Sequence, residues 1–556
     1  MYDAIVVGSG ITGGWAAKEL CERGLHTLVL EAGGPVSPED YSEHVQPYQM
    51  PFRGLGHHAQ AKAEQPVQRQ SSGYDETNRH FFVDDRDHPY THPVDAPFTW
   101  IRGRQVGGRS ITWARQVYRW SDLDFEANAR DGVGNDWPIR YADLEPWYAH
   151  VERFIGVSGS SEGLAQLPDS EFLPPMPLMH VEGVLRDRLA ARYGRERVLT
   201  VGRVAVLTRE HQGRAACHYC GPCHRGCTTH SYFSSNGSTL PAAAATGRME
   251  LRPHSIVAEV LFDSATRRAS GVRVIDAQTG QSREYHARLL FLCASAFETV
   301  RLLLNSRARD TPDGLGNAEG LLGRYVLDHH YGAGASATMP VRQTSCFRQP
   351  AERLLHRPLP ECPVGDSPAS CAATACRAPR CKRAGAAALG DAWLRCGLQG
   401  RATERRGEWG VYGSGAAEDL PHADNRLTLD PTVVDRWGVP AACIGRWRDN
   451  ELAMSRDMAE SVAEMFEAAR RSDVQPFRYM PPPGHCVHEM GGARMGRTPR
   501  EGVVNRWNQL WEAPNVFATD GACMASSACQ NPSLTYMALT ARAAAFAVEA
   551  LKRGEL

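Results

Sequence analysis

The sequence predicts an α/β protein built around a doubly wound, Rossmann-type dinucleotide-binding domain. Three observations predict it. Residues 3–7, "DAIVV", are a short apolar run of the kind that buries both faces in a parallel strand. The glycine-rich turn "GSGITGG" follows and opens the helical pattern "WAAKELCERG". "HTLVLEAG" then reads as a second strand that ends in an acid.

Each part of this β–turn–α–β unit has a physical task. Gly8, Gly10 and Gly13 stand in G-x-G-x-x-G spacing, with Gly14 directly after, and Glu31 closes the second strand. Gly8 permits the tight turn, Gly10 lets backbone approach a pyrophosphate, and Gly13 lets the helix pack on the sheet. The helix N-terminus offers free N–H groups and the positive end of its dipole to phosphate. Glu31 is placed to bind ribose hydroxyls. The motif alone does not separate FAD from NAD.

A chain of 556 residues exceeds what one core supports and predicts roughly two to four structural units. Lys and Arg total 62 against 63 Asp and Glu, a formal charge of -1. Such a balance gives no global field that would recruit nucleic acid or an anionic membrane. No run approaches 18 consecutive apolar residues, so no membrane span is expected. The N-terminus enters a strand at once, without a basic region or cleavage site, so no secretory signal is expected on this chain. Export on a partner's signal is left open, and with it the compartment. No internal repeat is visible.

Four further blocks appear in order: "GRQVGGRSITWARQVYRWSDLDF" (103–125), "FLCASAFETVRLLLNS" (291–306), "HEMGGARMG" (488–496) and "NVFATDGACMASSACQNPSLTYMALTARAA" (515–544). Together with the first motif they resemble the glucose-methanol-choline (GMC) family of FAD-dependent oxidoreductases, over nearly the whole chain. The resemblance implies an FAD-binding domain assembled from discontinuous segments and a second, α+β substrate domain on an antiparallel sheet. It implies oxidation of an alcohol to a carbonyl, with hydride moving from the carbinol carbon to the flavin. Matching positions carry over further cofactor residues: Gly107 and Gly108 at the flavin pyrophosphate, Val257 in "HSIVAEVLF" at the adenine, and Asp520 and Gly521 in "ATDGA" at the second flavin-contacting strand end. "RSITWAR" departs from the family's usual small residues and Asn, with Arg109 and Trp113 in those places. In this it is similar to the branch of multi-subunit sugar and sugar-acid dehydrogenases (gluconate, fructose and glucoside dehydrogenase catalytic subunits).

The same resemblance places the catalytic pair at His488, which opens H-x-x-G-G, and Asn531, which opens "NPSLT". The chemistry suits them. Hydride leaves an alcohol readily only as the hydroxyl proton departs, and a neutral imidazole accepts that proton near neutral pH. Asn531 can orient the same oxygen without competing as a base. His485 stands three residues from His488, and His329 and His330 in "LDHHYGAG" either line the site or pack.

Sixteen cysteines are many for such a chain, and four stand in "CHYCGPCHRGC" at Cys217, Cys220, Cys223 and Cys227. C-x2-C-x2-C-x3-C is the spacing of a bacterial ferredoxin run, but Thr228 follows where Pro is usual, and no second run exists. An iron–sulfur cluster, a zinc site of four thiolates and a disulfide with spare thiols all stay open on the residues. His218 and His224 are substitutes if one cysteine does not ligate. A dehydrogenase serving a protein acceptor needs a one-electron relay, which a cluster provides. The resembled branch carries a cysteine cluster in this part of the chain.

Residues 341–405 break the pattern, with six cysteines, ten arginines and no Ile, Tyr, Asn or Met. They show neither helical nor alternating periodicity. A basic insertion, metal binding and a compensated frameshift in GC-rich DNA each account for the bias, and the frameshift accounts for most of it. The expected organisation is 1–130, first FAD segment; 131–214, helices and cap; 215–310, cysteine cluster and return to the FAD domain; 311–474, substrate domain; 475–556, the C-terminal FAD segment with the catalytic residues. The function expected is oxidation of a polyol, sugar, glycoside or sugar acid, with electrons passed to a quinone or cytochrome and a small accessory subunit as a further partner. An oxygen-using alcohol oxidase and an inactive flavin-binding protein are the alternatives.

Overall fold

The structure, a computed structural model, describes residues 1–54, 56–339, 353–356, 375–378, 382–383, 409–469 and 473–556. In chain order its strands are β1 (Tyr2–Val7), β2 (Thr27–Leu30), β3 (Val198–Val201), β4 (Met249–Arg252), β5 (Ser255–Asp263), β6 (Arg268–Asp276), β7 (Ser282–Leu292), β8 (His330–Met339), β9 (Arg353–His356), β10 (Ala375–Ala378), β11 (Lys382–Arg383), β12 (Trp409–Ala417), β13 (Arg426–Thr428), β14 (Ala442–Ile444), β15 (Gln475–Arg478) and β16 (Val516–Ala518).

The first sheet is parallel in the order β4-β2-β1-β7-β16. β2, β16 and the inner residues of β1 and β7 are buried on both faces, which is why they read as continuous apolar runs, while the edge strand β4 is half-buried. The helix Ile11–Glu22 covers one face through Ala16, Ala17 and Leu20 and packs with Ala543, Ala544 and Ala547 of the helix Ser533–Lys552. Phe291 and Phe517, on neighbouring strands, stack with ring centroids 4.7 Å apart. β7 is the hinge of the architecture. Residues 282–286 pair antiparallel with β6 in a β5-β6-β7 meander, while residues 287–292 pair parallel with β1. The order reverses between β1 and β7, and the carboxyl ends of such a pair open the crevice where doubly wound sheets bind ligands.

The second sheet is antiparallel, β15-β8-β12-β10-β9-β3, with β11 against β12. The helix Asp449–Ala468 lies across it. Ala333, Ala335 and Ala337 alternate along β8 and give one flat face, against which Met458, Val462, Met465 and Phe466 pack. The sheet and helix match the α+β layer expected for substrate binding. The anomalous interval 341–405 lies outside the described residues, apart from the backbone of β9, β10 and β11.

Among the described residues one helix, Ser533–Lys552, is long and apolar enough to cross a membrane, although it contains no unbroken apolar run of that length. Its most apolar stretch is 78% buried against the first sheet, so in this fold it is a core helix.

Candidate active site

A cavity of about 470 Å³ opens at the β1/β7 crevice and reaches the second sheet, touching Tyr331, Tyr412 and Ser414 there. Its floor begins where β1 ends. Gly8 has φ +94°, and a Cβ there would lie 2.4 Å from the Cys293 carbonyl oxygen. A Cβ on Gly13 would stand 1.9 Å from the Gly8 oxygen. The turn therefore needs both glycines, one for its backbone angle and one for close packing. Gly10 caps the helix Ile11–Glu22 and makes no side-chain cap bond to its first N–H groups, the donors a phosphate would use. Gly108 faces Gly10 so closely that a Cβ on it would lie 3.1 Å from the Gly10 Cα.

The rim beside this cradle is polar. Glu31 accepts from the backbone N–H of Ser9 at 3.0 Å, the Ser9 hydroxyl at 2.6 Å and the Gly33 N–H at 2.9 Å. Burial pushes its carboxyl up. The Gly107 N–H donates in turn to Ser9 Oγ at 3.0 Å. Asp520 accepts from the Thr299 hydroxyl at 2.5 Å and the Ala522 N–H at 3.0 Å, and burial pushes its carboxyl up to about 6. The hydroxyl of Tyr536 reaches the cavity wall buried and, among the described residues, without a hydrogen-bond partner. These features fit a dinucleotide: a glycine cradle at a helix N-terminus, an acid on the neighbouring strand and an unspent hydroxyl within.

Gly8, Gly10, Glu31, Gly108, Val257, Asp520, Gly521, His488 and Asn531 all line this one cavity. Gly13, Gly14 and Gly107 stand behind it. Gly14 is tight against Thr239 and Gly107 against Asn236, where a Cβ would meet side-chain atoms at 2.3 and 1.6 Å. Their contribution is close approach of backbone rather than contact with the cavity.

The catalytic candidates meet at the far end. Asn531 Nδ2 lies 3.1 Å from His488 Nε2. On the other side of the ring, His488 Nδ1 lies 2.8 Å from His329 Nδ1, and His329 Nε2 lies 2.9 Å from the Ser527 carbonyl oxygen. A carbonyl only accepts, so His329 carries its proton on Nε2 and accepts at Nδ1. His488 must then donate from Nδ1, which leaves Nε2 as its lone pair. The chain Ser527–His329–His488 thus assigns the tautomer that a base facing the cavity needs. His329 does more than pack. His330, by contrast, is buried with its ring 5.3 Å from Trp447, and burial brings its imidazole down to about 4.

Sequence reading missed the groups that hold this pair. Leu327 and Met490 exchange both backbone hydrogen bonds at 2.9 Å, which sets the entry to β8 beside the loop 484–490. Asp328 clamps that loop: one carboxylate oxygen accepts from Gly484 N–H at 2.8 Å and Cys486 N–H at 3.1 Å, the other from His488 N–H at 3.0 Å. Burial and the nearby charge of Glu489 push its carboxyl up to about 7. Glu489, itself buried, is gripped by both guanidinium nitrogens of Arg109 at 2.6 and 3.2 Å. Arg109, the residue that departs from the family's usual pattern, is therefore the partner of the acid next to His488. Nothing in the sequence pairs positions 380 residues apart.

The four cysteines sit outside the cavity. None is in a disulfide: Cys223 is buried, Cys217 and Cys227 partly so, and Cys220 is exposed. Burial and the other three thiols push Cys217 up to about 11. The loop packs on Tyr232, whose neighbour Phe233 accepts at its carbonyl from the indole of Trp113 at 3.0 Å. Trp113 lines the cavity, so the cysteine loop is joined to that wall through Tyr232 and Phe233.

The GMC oxidoreductase model matches this chain in two parts, residues 2–331 and 421–540. This chain is a member of the GMC oxidoreductase family. Its relatives include 2-methyl-1,2-propanediol dehydrogenase of Mycolicibacterium austroafricanum, 28% identical over 97% of this chain and 94% of the relative. The fructose dehydrogenase large subunit of Gluconobacter japonicus is 27% identical over 99% and 98%. Paromamine 6'-oxidase of Streptomyces fradiae is 25% identical over 98% and 91%. Among solved structures, pyridoxine 4-oxidase from Mesorbium loti superposes with a TM-score of 0.60 at 16% identity over 98% of each chain, a likeness of fold. As a GMC oxidoreductase, the chain is an FAD-dependent enzyme that oxidises CH–OH groups.

Proposed function

We propose that this enzyme oxidises a secondary or primary alcohol of a polyol, sugar, glycoside or sugar acid, and passes the electrons to a protein or quinone acceptor. The observation that carries the reading is the His488–Asn531 pair at the cavity end, with His488 Nε2 held as a lone pair. A substrate hydroxyl placed there donates to His488 Nε2 and accepts from Asn531 Nδ2. His488 takes the hydroxyl proton as the carbinol C–H breaks, and His329 stabilises the resulting imidazolium by accepting from Nδ1. FAD, when bound, supplies the hydride acceptor, held by the Gly8–Gly13 turn, Glu31, Gly108, Val257, Asp520 and Gly521. Tyr331, Tyr412 and Ser414 of the second sheet give the cavity a polar, aromatic wall suited to a hydroxylated substrate.

For the electrons' exit we propose an iron–sulfur cluster on Cys217, Cys220, Cys223 and Cys227. One observation supports it: the four thiols share one short loop that packs on Tyr232, whose neighbour Phe233 is bonded to the cavity residue Trp113. A cluster, when present, supplies one-electron relay to a partner.

The test is anaerobic addition of polyols and sugars to purified, flavin-loaded protein, with iron and acid-labile sulfide assayed on the same sample. Bleaching of the flavin with about three or four iron per chain supports both steps. Bleaching without iron favours the oxidase reading that the similarity to paromamine 6'-oxidase raises, and oxygen consumption with peroxide release then follows. No bleaching with any of these substrates overturns the alcohol reading.

A further inference from the structure

Cys486 has no task in the alcohol chemistry, yet its thiol stands 3.4 Å from His488 Nδ1. His329 Nδ1 stands 2.8 Å from the same nitrogen, and one ligand atom from each of the three residues lies within 4.8 Å of the others. Cys486 and His329 are buried, and His488 is partly so. We propose that His329, Cys486 and His488 form a site for one borderline divalent cation, Zn2+ above all, and that filling it turns the active site off. The proposal goes beyond the alcohol reading and concerns the same histidine.

The donor set is one thiolate and two imidazoles, the combination that selects zinc over calcium or magnesium. Zn–N bonds of about 2.0 Å and a Zn–S bond of about 2.3 Å at tetrahedral angles require roughly 3.3 Å between nitrogens and 3.5 Å from nitrogen to sulfur. The two spacings from His488 Nδ1, 2.8 Å to His329 and 3.4 Å to Cys486, lie within about half an ångström of those values, and the three ligand atoms stay within 4.8 Å of one another. The ligands are also held in advance. Asp328 accepts from the backbone N–H of both Cys486 and His488, so one clamp fixes the two residues that share the loop. The fourth position falls to water from the cavity that Cys486 and His488 line.

The proton balance explains inhibition. The cation displaces the proton from His488 Nδ1 and the proton from the Cys486 thiol. His488 rebinds one proton at Nε2 and stays neutral, and the other goes to the buffer. No electrons move. Nε2 then carries hydrogen where the substrate's hydroxyl proton must land, so the base is lost while the cavity stays intact.

The experiment uses flavin-loaded protein stripped with chelator, wild type beside Cys486→Ser and His329→Gln. Zinc is titrated against a chromophoric zinc indicator, and substrate-driven flavin bleaching is followed in parallel. The thiols at 217–227 are common to all three proteins and cancel in the comparison. Wild type is expected to hold one more zinc per chain than either variant. Its bleaching should stop as that zinc binds and return with EDTA. Half-inhibition of each variant, measured against its own zinc-free rate, should need at least tenfold more zinc. Equal zinc counts in all three proteins, or equal sensitivity of bleaching, overturn the site. Should Cys486→Ser not load flavin, His329→Gln carries the same comparison. The zinc count needs no substrate, so failure of the alcohol reading leaves it intact.

Discussion

Asp328→Asn is the sharpest probe of how the loop 484–490 is held. The wild-type carboxylate spreads three backbone N–H groups over two oxygens, two on one and one on the other. The amide keeps a single acceptor. Placed to serve Gly484 and Cys486, it turns its NH2 toward the N–H of His488, donor against donor. One buried N–H left unpaired costs about 1–3 kcal/mol. The pH dependence carries more information than the size. Asp328 is 1% exposed, and burial with the nearby Glu489 raises it to about 7 in the folded enzyme. An unfolded aspartate titrates near 4. Between those values the folded state keeps a proton that the unfolded chain has lost. This contribution to stability is therefore full below about pH 4 and is lost as pH rises through about 7. From pH 5 to 7 the loss amounts to about 2 kcal/mol, because the slope of 1.36 kcal/mol per unit halves as pH reaches the folded value. The asparagine variant lacks the titration. Urea unfolding of both flavin-loaded proteins, followed by tryptophan fluorescence at pH 5, 6 and 7, should show the wild-type advantage shrinking with pH. An advantage that grows with pH would refute the reasoning, because the three amides would then be stabilising the ionised carboxylate more than burial opposes it.

The other predictions rest on separate contacts. His488→Ala removes the proposed base and should slow anaerobic flavin bleaching about 10²- to 10⁴-fold while flavin content, read from absorbance, stays that of wild type. Gly13→Ala places a Cβ 1.9 Å from the Gly8 carbonyl oxygen, a clash against backbone that cannot relax by side-chain motion. It should yield protein with little or no FAD after gel filtration, with activity falling in proportion. Arg109→Met strands the buried charge of Glu489, at a cost of about 3–5 kcal/mol in urea unfolding. Arg109→Met with Glu489→Met should recover most of that loss, and a double variant no more stable than the single would show that the pair's charge is not the cause.

The part of this enzyme legible in the sequence is the part whose physics is local. The β1 turn announces itself because Gly8 and Gly13 answer demands set within six residues: a positive φ and a backbone oxygen 1.9 Å from where a Cβ would be. The strand, the uncapped helix start and the acid just after β2 follow in one continuous stretch, so spacing alone describes the cradle. His488 and Asn531 were legible only through the family blocks around them, since a lone histidine or an asparagine before proline carries no signal of its own. What stayed hidden is the support that joins distant segments. Arg109 reads as an oddity beside the glycine pair until Glu489 is found at 2.6 Å. His329 reads as packing until its two nitrogens are seen to face Ser527 and His488.

That hidden layer determines the chemistry. An imidazole placed at the cavity end has two tautomers, and only one presents a lone pair to a hydroxyl. The choice is made 198 residues along the chain from His329, at a backbone carbonyl that can only accept. Its effect reaches Nε2 through two rings. His329→Gln separates this assignment from mere packing. A glutamine can still fill space and bond to one neighbour, but its amide can present either donor or acceptor to His488 Nδ1. The variant should therefore keep its flavin and its KM while kcat falls about tenfold to a hundredfold, and the lost rate should not return at higher pH, because the defect is in which nitrogen holds the proton rather than in how many protons the ring holds. A loss confined to KM would make His329 a wall of the substrate site instead.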